Sequence, residues 1–348
     1  MAAGNPPLRT MPPPATGVPP LPALPGVPRF DETYRWLVDG LPARLRRPAE
    51  RLPWRLGLTK SPDRPWSDFV RLHPNRELPL YAAQAPSGEF GLSPADLGHF
   101  LRAHHLGAFA WLVRDRIEDG QVDGQVGEGQ GEDGDHLVEL AEMFEQRWRE
   151  AVTAGTGDAE LSQALFRRAT TRWQRGTRAE QRLLAAGSMR APIYAAIVRE
   201  KLGWIGAPSH ALLVARGDRR RLTTFLHAHD LYLVGLQALD DVIDADEDRA
   251  LRGADVPGAL HCSPGALVRA APLLVRRAAV VAGAGGFSWF ANWLEAFAGA
   301  ISSWRLAGDA IGDELEAIGI AGEIEEAIVR GADIRADKAA ANRVVAPA

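Results

Sequence analysis

Apolar residues recur at spacings of three and four along most of the chain between residues 93 and 331, in stretches rich in Ala, Leu, Arg and Glu. That period marks amphipathic helices, and the alternating pattern of half-buried strands is hardly visible. The spacing predicts helices over 31–50, 93–119, 136–153, 158–174, 177–202, 208–216, 220–248, 264–283, 287–307 and 309–331. With 46% hydrophobic residues in 348, the chain can bury a sizeable core. We therefore expect an all-α protein, a single large antiparallel helical bundle over 29–335. Residues 1–28 hold ten prolines and almost no charge, and read as a Pro-rich tail. Residues 336–348 read as a shorter tail, 51–92 as an irregular proline-punctuated stretch, and 120–135 as a flexible acidic Gly-rich loop.

The bulk numbers exclude several classes. A net charge of −4 gives no reason to expect nucleic acid. A single cysteine, Cys262, rules out an intrachain disulfide framework and fits a cytoplasmic protein. The longest uncharged stretch after the Pro-rich segment, 278–294, is short for a span and is broken by glycines, Ser288 and Asn292, so no transmembrane segment is expected. The N-terminus lacks the basic-then-apolar order of a signal peptide.

Within this frame one block is electrostatically out of place. The apolar run LYLVGLQAL ends in DDVIDADEDR, and six of the nine residues from Asp240 to Asp248 are acidic. On a helix Asp240, Asp244 and Asp248 are four apart and share a face, with Asp241 beside them. Like charges at that spacing repel, and carboxylates at a helix C-terminus oppose the macrodipole by about 0.3–1 kcal/mol each. A second block has the same form. The apolar stretch from Leu106 to Val113 runs into DRIED, with Asp115 and Asp119 four apart, Glu118 between them, and Gly120 as a stop. Two apolar helices each ending in D-x-x-x-D can face one another across an apolar cavity. Oxygen-only ligands then suit Mg²⁺ or Mn²⁺, and the ions would hold a diphosphate and assist its departure.

The ordered pair, DRIED at 115–119 and DDVID at 240–244, resembles the two Asp-rich motifs of the class I isoprenoid synthases, an all-α superfamily with a central apolar cavity. The motifs begin 125 residues apart. That spacing and the D-x-x-E-D form are similar to the squalene/phytoene synthase branch, while DDVIDADEDR is similar to the second motif of the bacterial large terpene synthases of the tetraprenyl-β-curcumene synthase type. DDVIDADEDRALRG also resembles the first motif of chain-elongating prenyltransferases, but no good second motif follows it; GDAIGDE at 308–314 is a poor match.

The resemblance implies Mg²⁺ held by Asp115, Glu118, Asp119, Asp240, Asp241, Asp244 and Asp248, with Asp115, Asp119, Asp240, Asp241 and Asp244 as the catalytic set. It also implies a C10–C25 prenyl diphosphate substrate, and a homodimer is a further expectation. The diphosphate needs positive charge besides metal, for which Arg190, Lys201 and Arg249 are the candidates. A carbocation needs apolar and aromatic walls, supplied by Phe109, Trp111, Phe225, Tyr232, Leu236, Trp289 and Trp293. The aromatic signatures of head-to-head condensation are not clearly present, so ionisation followed by cyclisation is favoured over condensation or prenyl transfer. Competing readings are a di-iron site using His104, His105, His227 or His229, for which the usual E-x-x-H pairs are missing; a calcium loop at DADED, which has Arg249 where glycine is needed; and a catalytically inactive helical interaction protein.

Overall fold

A computed structural model describes residues 30–56, 58, 59, 61–66, 94–118, 130–302 and 312–344. Among these there are fourteen helices and no strand, as the periodicity predicts. They are α1 (Phe30–Asp39), α2 (Ala43–Glu50), α3 (Leu52–Arg55), α4 (Pro94–Glu118), α5 (Gln130–Thr156), α6 (Ala159–Ala186), α7 (Ala191–Leu202), α8 (Ala207–Ala215), α9 (Arg219–Ile243), α10 (Ala245–Arg252), α11 (Val256–Leu260), α12 (Pro264–Ala284), α13 (Ser288–Ile301) and α14 (Gly312–Val344). The Pro-rich segment 1–28 and most of 51–92 and 120–135 lie outside the described residues.

Local chemistry explains where the helices begin and end. Asp158, Asp218 and Ser263 cap α6, α9 and α12 by accepting the backbone N–H of Leu161, Arg221 and Ala266. The stretch 158–202, expected to break near 175, instead breaks at Gly187, whose φ of 64° closes α6. The predicted helix 220–248 is two helices: Asp244 ends α9 and starts α10. The predicted 31–50 likewise divides, between Asp39 and Ala43 around Gly40 and Pro42. Helix α5 starts at Gln130, inside the stretch assigned to the acidic loop. Helix α14 continues to Val344, through residues whose composition suggests a tail.

Two hydrophobic clusters form. One joins α1–α5 around Tyr34, Trp66, Phe109, Phe144 and Trp148. The other joins α7, α9 and α12–α14 around Tyr194, Phe225, Tyr232, Phe290 and Trp293. Helices α4 and α5 run antiparallel, since Gly155 meets His99, Gly107 meets Trp148, and Arg114 donates to Glu145 at 2.7 Å. Helices α9 and α12 are antiparallel too, because Thr224 lies against Gly285 while Gly235 lies against Val275 and Ala271. Trp204, in the α7–α8 connection, packs on both clusters and stacks on Trp111 at 5.1 Å.

Candidate active site

The two motif helices α4 and α9 do not pack extensively on each other; α8 touches both. The Nε2 of His104 on α4 and the Ser209 hydroxyl on α8 are hydrogen-bonded at 3.2 Å. Gly206, just before α8, lies against the His229 ring on α9, with no room for a Cβ. Burial pushes the His104 pKa well below the ordinary histidine range, with His105 and then His229 adding to the effect. His104 and His229 are therefore neighbours near the middle of their helices. Asp115 lies eleven residues beyond His104, and Asp240 eleven residues beyond His229. At 1.5 Å per residue each acid lies about 16 Å along its helix from its histidine.

Lys201, near the C-terminus of α7, is linked electrostatically to acids of both helices. Its ammonium donates to Glu180 on α6 at 2.5 Å. Burial pulls its pKa down, but attraction to Glu180, to Asp115 of the first motif and to Asp241 of the second outweighs this and holds the amine charged. One cation thus feels carboxylates from α4, α6 and α9. Gly176 makes the α6–α7 approach possible: a Cβ there would fall 2.9 Å from Glu200 Cβ and from the Lys201 backbone nitrogen.

Asp241 is buried. Its two oxygens accept from the Tyr194 hydroxyl and from Gln237, each at 2.7 Å. Burial, reinforced by Glu180, nevertheless raises its pKa to about 8. Asp248, on α10, is also raised by burial, with Arg252 opposing and Glu180 reinforcing. Asp115, Asp240 and Asp244 are half-buried, and Glu118 is exposed at the end of α4. Asp119 lies outside the described residues. Among the described residues no three His, Cys, Asp or Glu side chains are gathered as a metal-binding group.

Of the cationic candidates only Lys201 stands among the acids. Arg190 is exposed at the N-cap of α7, the opposite end of that helix from Lys201. Arg249 turns to α11, where its Nε donates to the buried Asp255 at 2.7 Å and its Nη1 to Asp246 at 3.3 Å.

The aromatic candidates fall in both clusters. Phe109 and Trp111 are buried in the first and Phe225, Tyr232, Leu236 and Trp293 in the second; Trp289 is half-buried. They fill space by packing on one another: the Tyr232 ring meets Trp293 at 5.7 Å and Phe297 at 6.4 Å. Two small cavities, of about 20 and 10 Å³, lie elsewhere, against Arg168 and Trp204 and against Phe100 and Leu212 respectively.

Reading residue types alone misses Glu180, yet its signal is present. The buried stripe of α6 is Trp173, Gly176, Thr177, Glu180 and Leu184, which puts an acid at a core-facing position of a helical period. The same reading misses Tyr194 and Gln237.

The described residues form an all-α protein in which a half-buried lysine, paired with Glu180, is attracted to carboxylates near the ends of two helices. No helix among the described residues is long and apolar enough to cross a membrane. No family model matches the sequence, and no curated protein matches it. Among solved structures the chain is similar to a crystal structure of geranylgeranyl pyrophosphate synthase, at 12% identity and a TM-score of 0.46, over 89% of this chain and 87% of that one.

Proposed function

We propose that the chain is an Mg²⁺-dependent isoprenoid synthase that releases diphosphate from a C10–C25 prenyl diphosphate and cyclises or condenses the resulting allylic cation. The observation that carries this reading is Lys201, paired with Glu180 and attracted both to Asp115 of the first motif and to Asp241 of the second. The candidate donor set suits Mg²⁺ in that every ligand atom is oxygen. Asp115, Asp119, Asp240 and Asp244 would hold the metal, with Glu118 and Asp248 beside them. When bound, Mg²⁺ would neutralise charge on the departing diphosphate.

The chain's own residues supply the rest. Lys201 would bind a diphosphate oxygen once released from Glu180. Tyr194 and Gln237 fix the end of α9 through Asp241. The faces of Phe225, Tyr232 and Trp293 would shield the cation from water. Cyclisation is favoured over head-to-head condensation or prenyl transfer because it needs one substrate and one pocket.

The experiment is product analysis after incubation with C10, C15, C20 and C25 diphosphates, singly and in pairs, with Mg²⁺ or with chelator. Diphosphate release that requires Mg²⁺ and is lost in Asp115→Asn and Asp240→Asn, with helicity unchanged, supports the reading. Release undiminished in both variants sinks it. The closed packing of Tyr232 on Trp293 and Phe297 favours a second reading, a helical protein without the chemistry. Failure of every substrate, alone and in pairs, would favour that one.

A further inference from the structure

A second charged locus lies on the other side of the α7 C-terminus. Helices α6, α7 and α8 enclose an open cleft of about 20 Å³ whose walls include Arg168, Arg172, Glu200, Gly203, Trp204 and His210. Roughly 10–15 Å³ of such space accommodates one water, so the cleft admits a single small group whose remainder stays in solvent. Trp204 gives one wall rigidity through its stack on Trp111.

The charge around the cleft is unbalanced. Glu200 is shared: Arg172 Nε donates to one of its oxygens at 3.2 Å and Arg175 Nε to the other at 2.8 Å. Arg172 also donates through Nη2 to the Arg199 carbonyl at 2.9 Å. Arg168, one helical turn before Arg172 on the same face, has no hydrogen bond or ion pair among the described residues. Three arginines therefore surround one carboxylate, a surplus of two positive charges. Burial lowers the pKa of both Arg168 and Arg172; Arg172 adds to the effect at Arg168, and Glu200 offsets part of it at each. The backbone keeps Arg172 at the wall: a Cβ at residue 203 would sit 3.6 Å from its Cζ and Nη1 and only 2.7 Å from the Arg199 carbonyl oxygen.

We propose that this cleft is an anion site that binds the phosphate group of a small ligand between Arg168 and Arg172, separate from the carboxylate site. Two neighbouring guanidinium forks match a tetrahedral dianion in charge and in donor geometry, better than they match a single carboxylate. The shared chemistry covers free phosphate, diphosphate and a phosphate monoester. The site does not depend on the isoprenoid reading.

The test is calorimetric titration of the full chain with inorganic phosphate, diphosphate and glycerol phosphate as separate arms, all in chelator so that no metal can bridge an anion to the carboxylates. We expect saturable binding of one phosphate per chain, weakened roughly tenfold or more in Arg168→Ala and unchanged in Asp115→Asn. The melting temperature of Arg168→Ala without phosphate should match that of the unaltered chain. A stronger response in one arm identifies the source of the phosphate. Absence of saturable binding in all three arms overturns the proposal. So does equal affinity in Arg168→Ala, or a loss in Asp115→Asn that Arg168→Ala does not share.

Discussion

The Tyr194 hydroxyl donates to Asp241 at 2.7 Å, joining the first turn of α7 to the last turn of α9. Asp241 is buried, so this bond and the one from Gln237 are its visible compensation for lost water. Tyr194→Phe should destabilise the chain by about 1–3 kcal/mol, the cost of a buried acceptor left short of a donor. Denaturant unfolding with an unchanged m-value checks it. Adding Asp241→Leu to Tyr194→Phe should recover part of the loss, because the orphaned carboxylate goes with it.

Lys201 and Glu180 form a pair whose side chains are 17% and 7% exposed. Removing one partner strands the other beside Asp115 and Asp241. Lys201→Met should therefore cost on the order of 3 kcal/mol. The double variant Lys201→Met with Glu180→Leu should cost less than the single one. Unfolding free energies of the four species in a double-mutant cycle decide it.

His105 gives a pH prediction with a definite sign. Burial, with a smaller push from Arg102, lowers its pKa from about 6.5 to about 3. The folded state then binds the proton less well than the unfolded chain. Its contribution to stability is complete above about pH 6.5 and is lost as pH falls towards 3. His105→Asn offers a similar polar atom to Thr33, whose hydroxyl lies 3.0 Å from His105 Nδ1, but does not titrate. Its stability should fall less steeply between those pH values, each unit of the difference being worth at most about 1.4 kcal/mol. Parallel slopes for the two proteins would show that His105 is not the group responsible.

Gly235 lies inside the motif helix, and ligand approach and helix packing both account for a glycine there in sequence. The structure favours packing: a Cβ would fall 2.9 Å from Val275 Cγ2 and 3.0 Å from the Ala271 carbonyl oxygen of α12. Alanine would gain about 1 kcal/mol in helix propensity. The carbonyl oxygen belongs to a rigid helix, however, and overpacking costs about 1–3 kcal/mol. Gly235→Ala should therefore lower the melting temperature despite its better propensity, as a calorimetric scan would register.

The aromatic packing sets a condition on any prenyl ligand. A binding pocket commonly needs about 300 Å³ or more, and the rings around Tyr232 pack directly on one another in this structure. A C15 diphosphate analogue with Mg²⁺ should change tryptophan fluorescence through Trp293, whereas diphosphate with Mg²⁺ should not. Trp293→Phe should remove most of the change.

Much of this arrangement is legible in the sequence. The helical period gives the all-α class, and the DRIED and DDVID blocks place acids where α4 and α9 end. The equal eleven-residue intervals from His104 to Asp115 and from His229 to Asp240 are visible too, but their meaning requires knowing that both histidines pack against the start of α8. Glu180 escapes a reading by residue type because it sits among arginines and looks like surface, and only its register with Trp173 and Leu184 gives it away. The break at Asp244 and the turn at Gly187 lie inside favourable helical spacing, where tertiary contacts decide the outcome. Cavity shape is the least legible property, since it depends on how Tyr232, Trp293 and Phe297 pack across elements distant in sequence.

The last turn of α7 has a mechanical consequence. Successive residues on a helix point about 100° apart, and here Arg199 reaches Asp230, Glu200 reaches Arg172 and Arg175, and Lys201 reaches Glu180. The three pairings key the helix like a shaft in a slotted hub. A twist that frees one charge misaligns the other two, so α7 resists rotation far more than its twelve-residue length suggests. An inserted residue before Arg199 would turn all three charges into the wrong slots at once.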